Sequence, residues 1–203
     1  MLLKINSQHP EAKKIRKVAD CLQEGGVIIY PTDTVYTFGC DAHNKEAIEK
    51  VKKIKNLTND KHHFSLICND LSQVAQYAKH FDSATHKYMN SQLPGPYTFI
   101  LNAKKEVSKL FGFNKKTIGV RVTDNNIAQN IVENFERPII SASLHNDDEV
   151  LTYMTDPDQI HEKFKKSVDI VIDSGPGDFK GSTVVDFSGE EPQLVREGKG
   201  ALS

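Results

Sequence analysis

The sequence predicts a single α/β domain built on a mixed sheet. Short apolar, β-branched runs alternate with segments of helical periodicity, and several of these runs follow each other with no helix between them. Neighbouring strands of that kind pair antiparallel, whereas strands joined through a helix pair parallel. The chain has 203 residues, 38% of them hydrophobic, which is enough for one globular core. We find no internal repeat or low-complexity linker, and therefore expect one domain over residues 1–203.

Amphipathic spacing predicts six helices. Gly25 and Gly26 end the first of them, and Asn44, Asp70 and Asp156 are residue types that cap helix N-termini. The helices are expected over about 10–24, 44–55, 70–78, 83–92 and 126–135, and from 156 onward.

Eight apolar runs predict strands. The first is entirely apolar, as in a strand buried on both faces, and the polar stretch 145–149 is expected to be a surface loop. The runs are VIIY (27–30), FSLIC (64–68), YTFILNA (97–103), TIGVRV (117–122), PIISAS (138–143), VDIVID (168–173), STVVDF (182–187) and QLVRE (193–197).

Composition argues against several classes of protein. The 26 basic and 27 acidic residues nearly cancel, so attraction to nucleic acid would require a local basic patch. No apolar run approaches the roughly 20 residues of a membrane helix, and the N-terminus lacks the apolar stretch of a signal peptide. Cys21, Cys40 and Cys68 are odd in number and far apart, which indicates neither a disulfide framework nor a structural zinc site. We therefore expect a cytoplasmic protein without membrane association.

Polar side chains directly follow the first predicted strand. Thr32, Asp33, Thr34 and Tyr36 come after Pro31 within a few positions. Hydroxyls at a strand end can bind a small polar ligand, or they can satisfy backbone groups of a turn. The residues alone leave both interpretations open.

Arg121 lies within the otherwise apolar run TIGVRV. Strand alternation directs its side chain to the face opposite Val120 and Val122. An arginine in such surroundings needs an anionic partner. The sequence leaves open whether that partner is an internal carboxylate or the carboxylate or phosphate of a ligand.

Basic side chains gather near the end of the second predicted helix. Lys52 and Lys53 are typical of a solvated helix end, whereas Lys55 and Lys61 bracket a polar loop and could reach a phosphate chain. The neighbouring histidines lack a third ligand at a recognisable spacing, so no metal site is predicted.

Further polar groups mark the later strands. Ser141 and Ser143 lie on one side of a strand, Ser182 begins another after a glycine, and Arg196 lies near the C-terminus. The sequence contains no Ser–His–Asp arrangement, no GxxxxGK[ST] phosphate loop and no GxGxxG turn. Neither a hydrolase triad nor the common nucleotide cradles are therefore available.

In their order along the chain, these segments resemble the YrdC/YciO-like family from about residue 12 to residue 200. Each segment is weak by itself, but the ordered set is specific. The set is YPTDTVYTFGCDA, KIKN, LPGPYTFIL, TIGVRV, SASL, STVVDF and VREG.

The resemblance implies a YrdC-like, DHBP-synthase-like fold: one α/β domain whose twisted, mixed open sheet surrounds a large concave basic cavity. It also implies an L-threonylcarbamoyl-AMP synthase, a nucleotidyltransferase that uses ATP, bicarbonate and L-threonine, with Mg²⁺, in tRNA N6-threonylcarbamoyladenosine modification. By the same resemblance, Thr34, Arg121 and Ser182 bind threonine. Residues implied for ATP and its phosphates are Lys55, Lys61, Ser141, Ser143 and Arg196.

Three departures from the synthase pattern are more similar to the YciO branch, and one of them is Thr37 and Phe38 before Gly39, where GLG is commoner. Synthase members carry KxRP, whereas Lys55 is followed by Asn56 and Leu57, and leucine supplies neither a donor nor a charge. Synthases also tend to carry SxN where this chain has Ser143 followed by Leu144 and His145. The arginine that the synthase pattern carries at position 57, and with it a phosphate contact, is therefore missing from this chain.

Two alternatives to a synthase remain open. One is a YciO-type module that binds double-stranded RNA or tRNA with the same concave surface and has weak or lost synthase activity. The other is an enzyme of this fold that acts on a different small molecule. The sequence does not determine the oligomeric state.

Overall fold

The computed structural model describes residues 1–57, 64–110, 116–144 and 154–201, with only the backbone of residues 108–110. Within these ranges the strands form one sheet, in the order β1-β8-β2-β3-β7-β4-β6-β5-β9-β10. The strands are β1 (Leu2–Lys4), β2 (Ile28–Tyr30), β3 (Thr37–Asp41), β4 (Ser65–Ile67), β5 (Tyr97–Asn102), β6 (Thr117–Arg121), β7 (Ile139–Ser143), β8 (Ile170–Asp173), β9 (Thr183–Asp186) and β10 (Gln193–Arg196).

The sheet is mixed, as predicted. Strand pairs β1/β8, β2/β8, β4/β6 and β5/β9 are parallel, and the remaining neighbours are antiparallel. The helices are α1 (Ala12–Gln23), α2 (Lys45–Ile54), α3 (Leu71–Tyr77), α4 (Ser83–Gln92), α5 (Lys105–Leu110), α6 (Asn126–Phe135) and α7 (Pro157–Phe164).

The predicted caps form in the structure. The side chain of Asn44 accepts a hydrogen bond from the Ala47 amide at 3.0 Å, and Asp70 accepts one from Gln73 at 2.8 Å. Such bonds satisfy amides that the helix itself leaves unpaired. These two helices, α2 and α3, therefore begin where the sequence indicated. The predicted loop at 145–149 lies outside the described residues.

Three elements were missed, namely β1, β3 and α5. The sequence TFGCD of β3 contains a glycine and polar residues, so it reads as a turn rather than as a strand. In the structure β3 is buried on both faces between β2 and β7. Its glycine permits close packing, because a Cβ on Gly39 would lie 2.6 Å from Cε1 of Tyr30.

The two faces of the sheet are covered differently. One face carries the larger apolar core, and Val51, Val74, Met89 and Ile160 of α2, α3, α4 and α7 pack on it. The other face is covered by α1 and α6, which pack on Ile28, Ile67 and Ile139. Beyond these isoleucines, the second face becomes polar. No helix within the described ranges is long and apolar enough to cross a membrane.

Candidate functional site

The polar region of the second sheet face contains three of the seven predicted site residues that the structure describes, namely Arg121, Ser141 and Ser182. We call it the polar floor and define it by Tyr30, Thr37, Ser65, Thr98, Arg121, Ser141 and Ser182. Strand register explains the grouping: Gly39 lies opposite Ser141, Ser141 opposite Ser65, and Ser65 opposite Gly119. Directly opposed residues share a face, so hydroxyls from distant parts of the sequence meet here.

Arg121 reaches from β6 to the loop that follows β2. Its Nη2 donates to Asp33 Oδ1 at 2.6 Å and to Thr34 Oγ1 at 3.1 Å. The side chains of Arg121 and Asp33 are each only 7% exposed, and the other Asp33 oxygen accepts from the Asp124 amide. The sequence left open whether the partner of Arg121 is an internal carboxylate or a ligand, and the structure contains the internal carboxylate. Its presence means that a ligand would meet an arginine whose Nη2 already has partners.

The polar residues that follow β2 have different hydrogen-bond partners and therefore different roles. The Thr32 hydroxyl donates to the Val35 carbonyl at 2.8 Å and accepts from the Thr34 amide, so it stabilises the turn. Thr34 faces Arg121. Tyr36 points away from both, since its hydroxyl donates to the Gly175 carbonyl at 2.8 Å. The turn interpretation is right for Thr32, whereas Thr34 accepts a hydrogen bond from Arg121 and its role towards a ligand stays a prediction.

Two buried polar atoms in the described part of the chain have no hydrogen-bond partner, and both belong to the polar floor. They are the hydroxyl of Tyr30 and Nε of Arg121. The Ser141 hydroxyl lies near Tyr30, but it bonds to Thr37 at 3.1 Å, and no bond of acceptable geometry joins it to the phenol. An unpaired buried donor costs roughly 1–3 kcal/mol, so this region is less stable than a fully paired one.

The electrostatics of Arg121 link three groups. Burial lowers the pKa of the guanidinium, the carboxylate of Asp33 raises it, and the charge on Arg196 lowers it further. Burial also raises the pKa of Tyr30, so this phenol remains a hydrogen-bond donor at neutral pH. Arg196, which donates to the Ser182 carbonyl at 3.0 Å, thus brings a second cation to the region of Arg121.

A second polar cluster adjoins Arg121. The hydroxyls of Thr98 and Ser182 are 2.7 Å apart, and Arg196 donates through Nη2 to the Ser182 carbonyl at 3.0 Å. A β-bulge allows this contact: Leu194 lies opposite Val185 and Arg196 lies opposite Val184, with Val195 as the extra residue. Leu194 and Arg196 therefore face opposite sides, although they are two positions apart. The bulge turns Arg196 towards Ser182.

The predicted phosphate-binding residues are partly brought together. Lys55, which follows α2, donates to the carbonyl of Ser143 at the end of β7, and Ser141 lies two residues earlier on the polar floor. Lys61 and His145 lie outside the described residues. Leu57 packs against the larger core.

Sequence reasoning missed Tyr30, Thr37, Ser65 and Thr98 as candidate site residues. Tyr30 looked like the last residue of an apolar strand, and Thr37 belongs to the missed strand β3. Thr98 gave a usable signal, because it alternates with Phe99 and so must face the side opposite the core. Lys199 was also missed: its ammonium donates to the Asp33 carbonyl at 2.8 Å and pairs with Asp178 at 2.7 Å.

The thiols offer no reactive nucleophile at this site. All three cysteines are free, and burial raises the pKa of Cys40 and Cys68 above the ordinary range and that of Cys21 to about 11. Thiols of this kind are poorly reactive. Within the described ranges, no group of three or more histidine, cysteine, aspartate or glutamate side chains could hold a metal ion.

A cavity of about 580 Å³ lies on the other face of the sheet, beside α4 and β9. Its lining includes Tyr88, Leu101, Val185 and Phe187, and none of the predicted site residues. We therefore assign the candidate site from side-chain chemistry on the polar floor and treat this cavity separately. The large concave basic cavity implied by the resemblance stays a prediction.

The chain belongs to the Sua5/YciO/YrdC family. The family model Sua5_yciO_yrdC, described as "Telomere recombination", matches residues 20–198. YciO of Escherichia coli is 38% identical over 197 residues, which cover 97% of this chain and 94% of that protein. The crystal structure of E. coli YciO has a TM-score of 0.91 at 37% identity and covers 99% of this chain and 97% of that chain. The predicted family, fold and closeness to YciO are confirmed.

Synthases of the family are more distant relatives. The threonylcarbamoyl-AMP synthase of Coxiella burnetii is 33% identical over 137 residues, which cover 68% of this chain and 73% of the synthase. The crystal structure of P. abyssi Sua5 complexed with L-threonine has a TM-score of 0.88 at 25% identity. It covers 98% of this chain and 57% of that one.

Proposed function

We propose that this protein is a cytoplasmic L-threonylcarbamoyl-AMP synthase that uses ATP, bicarbonate and L-threonine for N6-threonylcarbamoyladenosine modification of tRNA. The observation that carries the proposal is the convergence of Arg121 and Arg196 on one polar floor, with the hydroxyls of Thr34 and Ser182 beside them. Two cations and several hydroxyls suit substrates that carry carboxylates and phosphates. The relation to a threonylcarbamoyl-AMP synthase and to a threonine-bound Sua5 supports the same choice.

The proposed chemistry requires no protein nucleophile. Bicarbonate and the threonine amine condense to a carbamate with loss of water. A carbamate oxygen then attacks the α-phosphorus of ATP, and pyrophosphate leaves as the α–β phosphate bridge breaks. The protein holds the reactants in line and neutralises their charge, which are large contributions to catalysis.

The contacts of Arg121 restrict how it would hold threonine. Its Nη2 already donates to Asp33 and Thr34, so a carboxylate would bind through the remaining donors, Nε and Nη1. Asp33 keeps the guanidinium in place and balances its charge while the site is empty of anions. We assign Arg121 and Thr34 to threonine, with Ser182 at the boundary towards the nucleotide.

Lys55, Ser141, Ser143 and Arg196 are assigned to ATP, together with Lys61. Mg²⁺ would enter as the magnesium complex of ATP, where it screens the phosphate oxygens. The described residues fit this arrangement better than a separate metal site, because Asp33 and Asp178 are engaged with Arg121 and Lys199.

The test is pyrophosphate release from ATP by the purified protein, measured with and without threonine and bicarbonate. We expect release that depends on both, and a decrease of about tenfold or more in Arg196→Met, which loses a charged contact. Arg16→Met is the matched control, since Arg16 is exposed on α1, which covers the apolar part of this face. Absence of release, together with absence of ATP binding, would contradict the proposal.

Binding of double-stranded RNA or tRNA is a second candidate function. Helix α1 presents Lys13, Arg16 and Lys17, which are exposed and spaced to share one face. Three cations in a row can contact successive phosphates, although the net charge of the chain is −1.

RNA binding is tested by titrating tRNA and duplex RNA at increasing salt. We expect the affinity to fall steeply with salt, and the salt dependence to weaken when Lys13, Arg16 and Lys17 are replaced by glutamine. No binding at low salt, or an affinity independent of salt, excludes this function.

A further inference from the structure

The last strand of the sheet leaves an apolar surface uncovered. All four residues of β10 are exposed, and Leu194 and Val195 retain 50% and 58% of their accessible surface. The strand at the opposite edge, β1, is different, because Leu2 and Leu3 are only partly exposed. An exposed apolar edge strand offers unpaired backbone groups to another strand.

The uncovered surface continues the core. Register places Val120, Phe99, Val185 and Leu194 in one row across β6, β5, β9 and β10. The first three are at most 5% exposed, whereas Leu194 is half exposed. One apolar layer thus continues from the interior to the edge of the sheet, where Leu194 is exposed to solvent.

A cavity adjoins this edge. It holds about 580 Å³ and opens between α4 and the turn that joins β9 to β10, directly before Gln193. Tyr88 and Phe187 form part of its wall with ring centroids 5.7 Å apart. An aromatic-lined cavity beside an edge strand suits an anchoring side chain of a partner. The apolar lining residues are Phe81, Tyr88, Leu101, Val185, Phe187 and Pro192.

Acidic side chains flank the edge strand directly, whereas the basic side chains Lys79 and His80 lie in the lining of the adjoining cavity. Glu190 and Glu191 precede β10 and Glu197 follows it, and all three are exposed. Arg196 is the cation of the strand, and it is directed to the Ser182 carbonyl. A second copy of this chain would bring the same acidic residues to the contact, whereas lysines or arginines would complement them.

We propose that β10 is a docking edge for an extended, basic-flanked segment of another protein, which adds a strand beside β10 and inserts an apolar side chain into the adjoining cavity. The bulge at Val195 interrupts regular pairing, so the added strand is short and the anchor supplies much of the affinity. This inference does not depend on the proposed catalytic function.

The experiment uses a short synthetic peptide that alternates valine and threonine around a central phenylalanine, with lysines at both ends. Binding to the full chain is measured by calorimetry, alongside an analogue with glutamates for lysines and another with proline for phenylalanine. We expect the lysine peptide to bind about tenfold or more tightly than either analogue. Hydrogen exchange at residues 193–196 should slow on binding.

Matched variants test the location. Leu194→Asp should weaken binding of the lysine peptide about tenfold or more, because the new carboxylate places a charge within the apolar row. Phe179→Asp is the control, since Phe179 is similarly exposed at 53% but lies outside β10. Replacing Glu190 and Glu191 by lysine leaves the row intact and should reverse the preference between the two charged peptides.

Three results would overturn the proposal. The first is equal binding of the lysine and glutamate peptides, and the second is unchanged binding by Leu194→Asp with unaltered exchange at β10. The third is a dimer of the protein alone that Leu194→Asp dissociates, which would assign this edge to a second copy.

Discussion

The second face of the sheet divides into an apolar half and the polar floor, and three central strands carry both. Each of these strands places an isoleucine two residues from a polar side chain. The pairs are Ile28 and Tyr30 on β2, Ile139 and Ser141 on β7, and Ile67 and Ser65 on β4. The isoleucines are completely buried beneath α1 and α6. The change of chemistry occurs within two residues of the isoleucines that these helices cover. A strand of this fold therefore serves packing at one end and a site at the other.

The largest expected effect is that of Arg121→Ala on the polar floor. It leaves the buried Asp33 carboxylate without its guanidinium, so we expect the free energy of unfolding to fall by about 3–5 kcal/mol and threonine binding to be lost. Denaturant unfolding and threonine calorimetry measure the two effects. Arg121→Met combined with Asp33→Asn should recover most of the stability but not the binding. If Arg121→Ala alone were as stable as the wild type, the ion pair between Arg121 and Asp33 would not contribute to the stability of the fold.

Leu22→Ala breaks the apolar half instead. Leu22 of α1 is completely buried against the isoleucines, so we expect a loss of about 3 kcal/mol in the free energy of unfolding. Threonine affinity, measured under conditions where the variant remains folded, should not change. A selective loss of affinity would indicate that the two halves are not independent.

Gly39→Ala tests the boundary between the halves. The added Cβ would lie 2.6 Å from Cε1 of Tyr30 and must displace this ring, so overpacking should cost about 1–3 kcal/mol. Gly189→Ala is the control: its Cβ would lie 3.8 Å from the Glu191 carbonyl oxygen, an ordinary contact, so this variant should unfold at the same denaturant concentration as the wild type. Equal stability of the two variants would contradict the close packing at Gly39.

The smallest effect distinguishes two buried tyrosines. Tyr36→Phe removes a hydroxyl that bonds to Gly175 and should cost about 1 kcal/mol, whereas Tyr30→Phe removes an unpaired hydroxyl and should leave stability unchanged or raise it. Thermal unfolding of both variants measures the difference. A larger loss for Tyr30→Phe would mean that its hydroxyl has a partner.

The fold was largely predictable because its signals are local. Helix caps such as Asn44 and Asp70 act within one turn. Runs such as VIIY are entirely apolar, and this composition is itself typical of a buried strand. Strand β3 was not predictable from local signals. Its glycine and polar residues fit against side chains of β2 and β7, which are neighbours only in the folded sheet. A strand that borders a site loses the apolar pattern by which strands are recognised.

The contacts within the candidate site were not predictable from the sequence. Arg121 was expected to need an anion, and only the structure identified Asp33 in that role. Tyr30 gave no signal, since an unpaired hydroxyl is visible only when all neighbours are known.

By itself, the sequence determined the family, the alternation of helices and strands, and the residue types that could bind carboxylates and phosphates. These depend on interactions within a few residues or on an ordered set of motifs. The tertiary structure alone decided which strands are neighbours, that Arg121 pairs with Asp33, and that a bulge turns Arg196 to Ser182. Those outcomes depend on pairing between segments far apart in the chain, which no local pattern encodes.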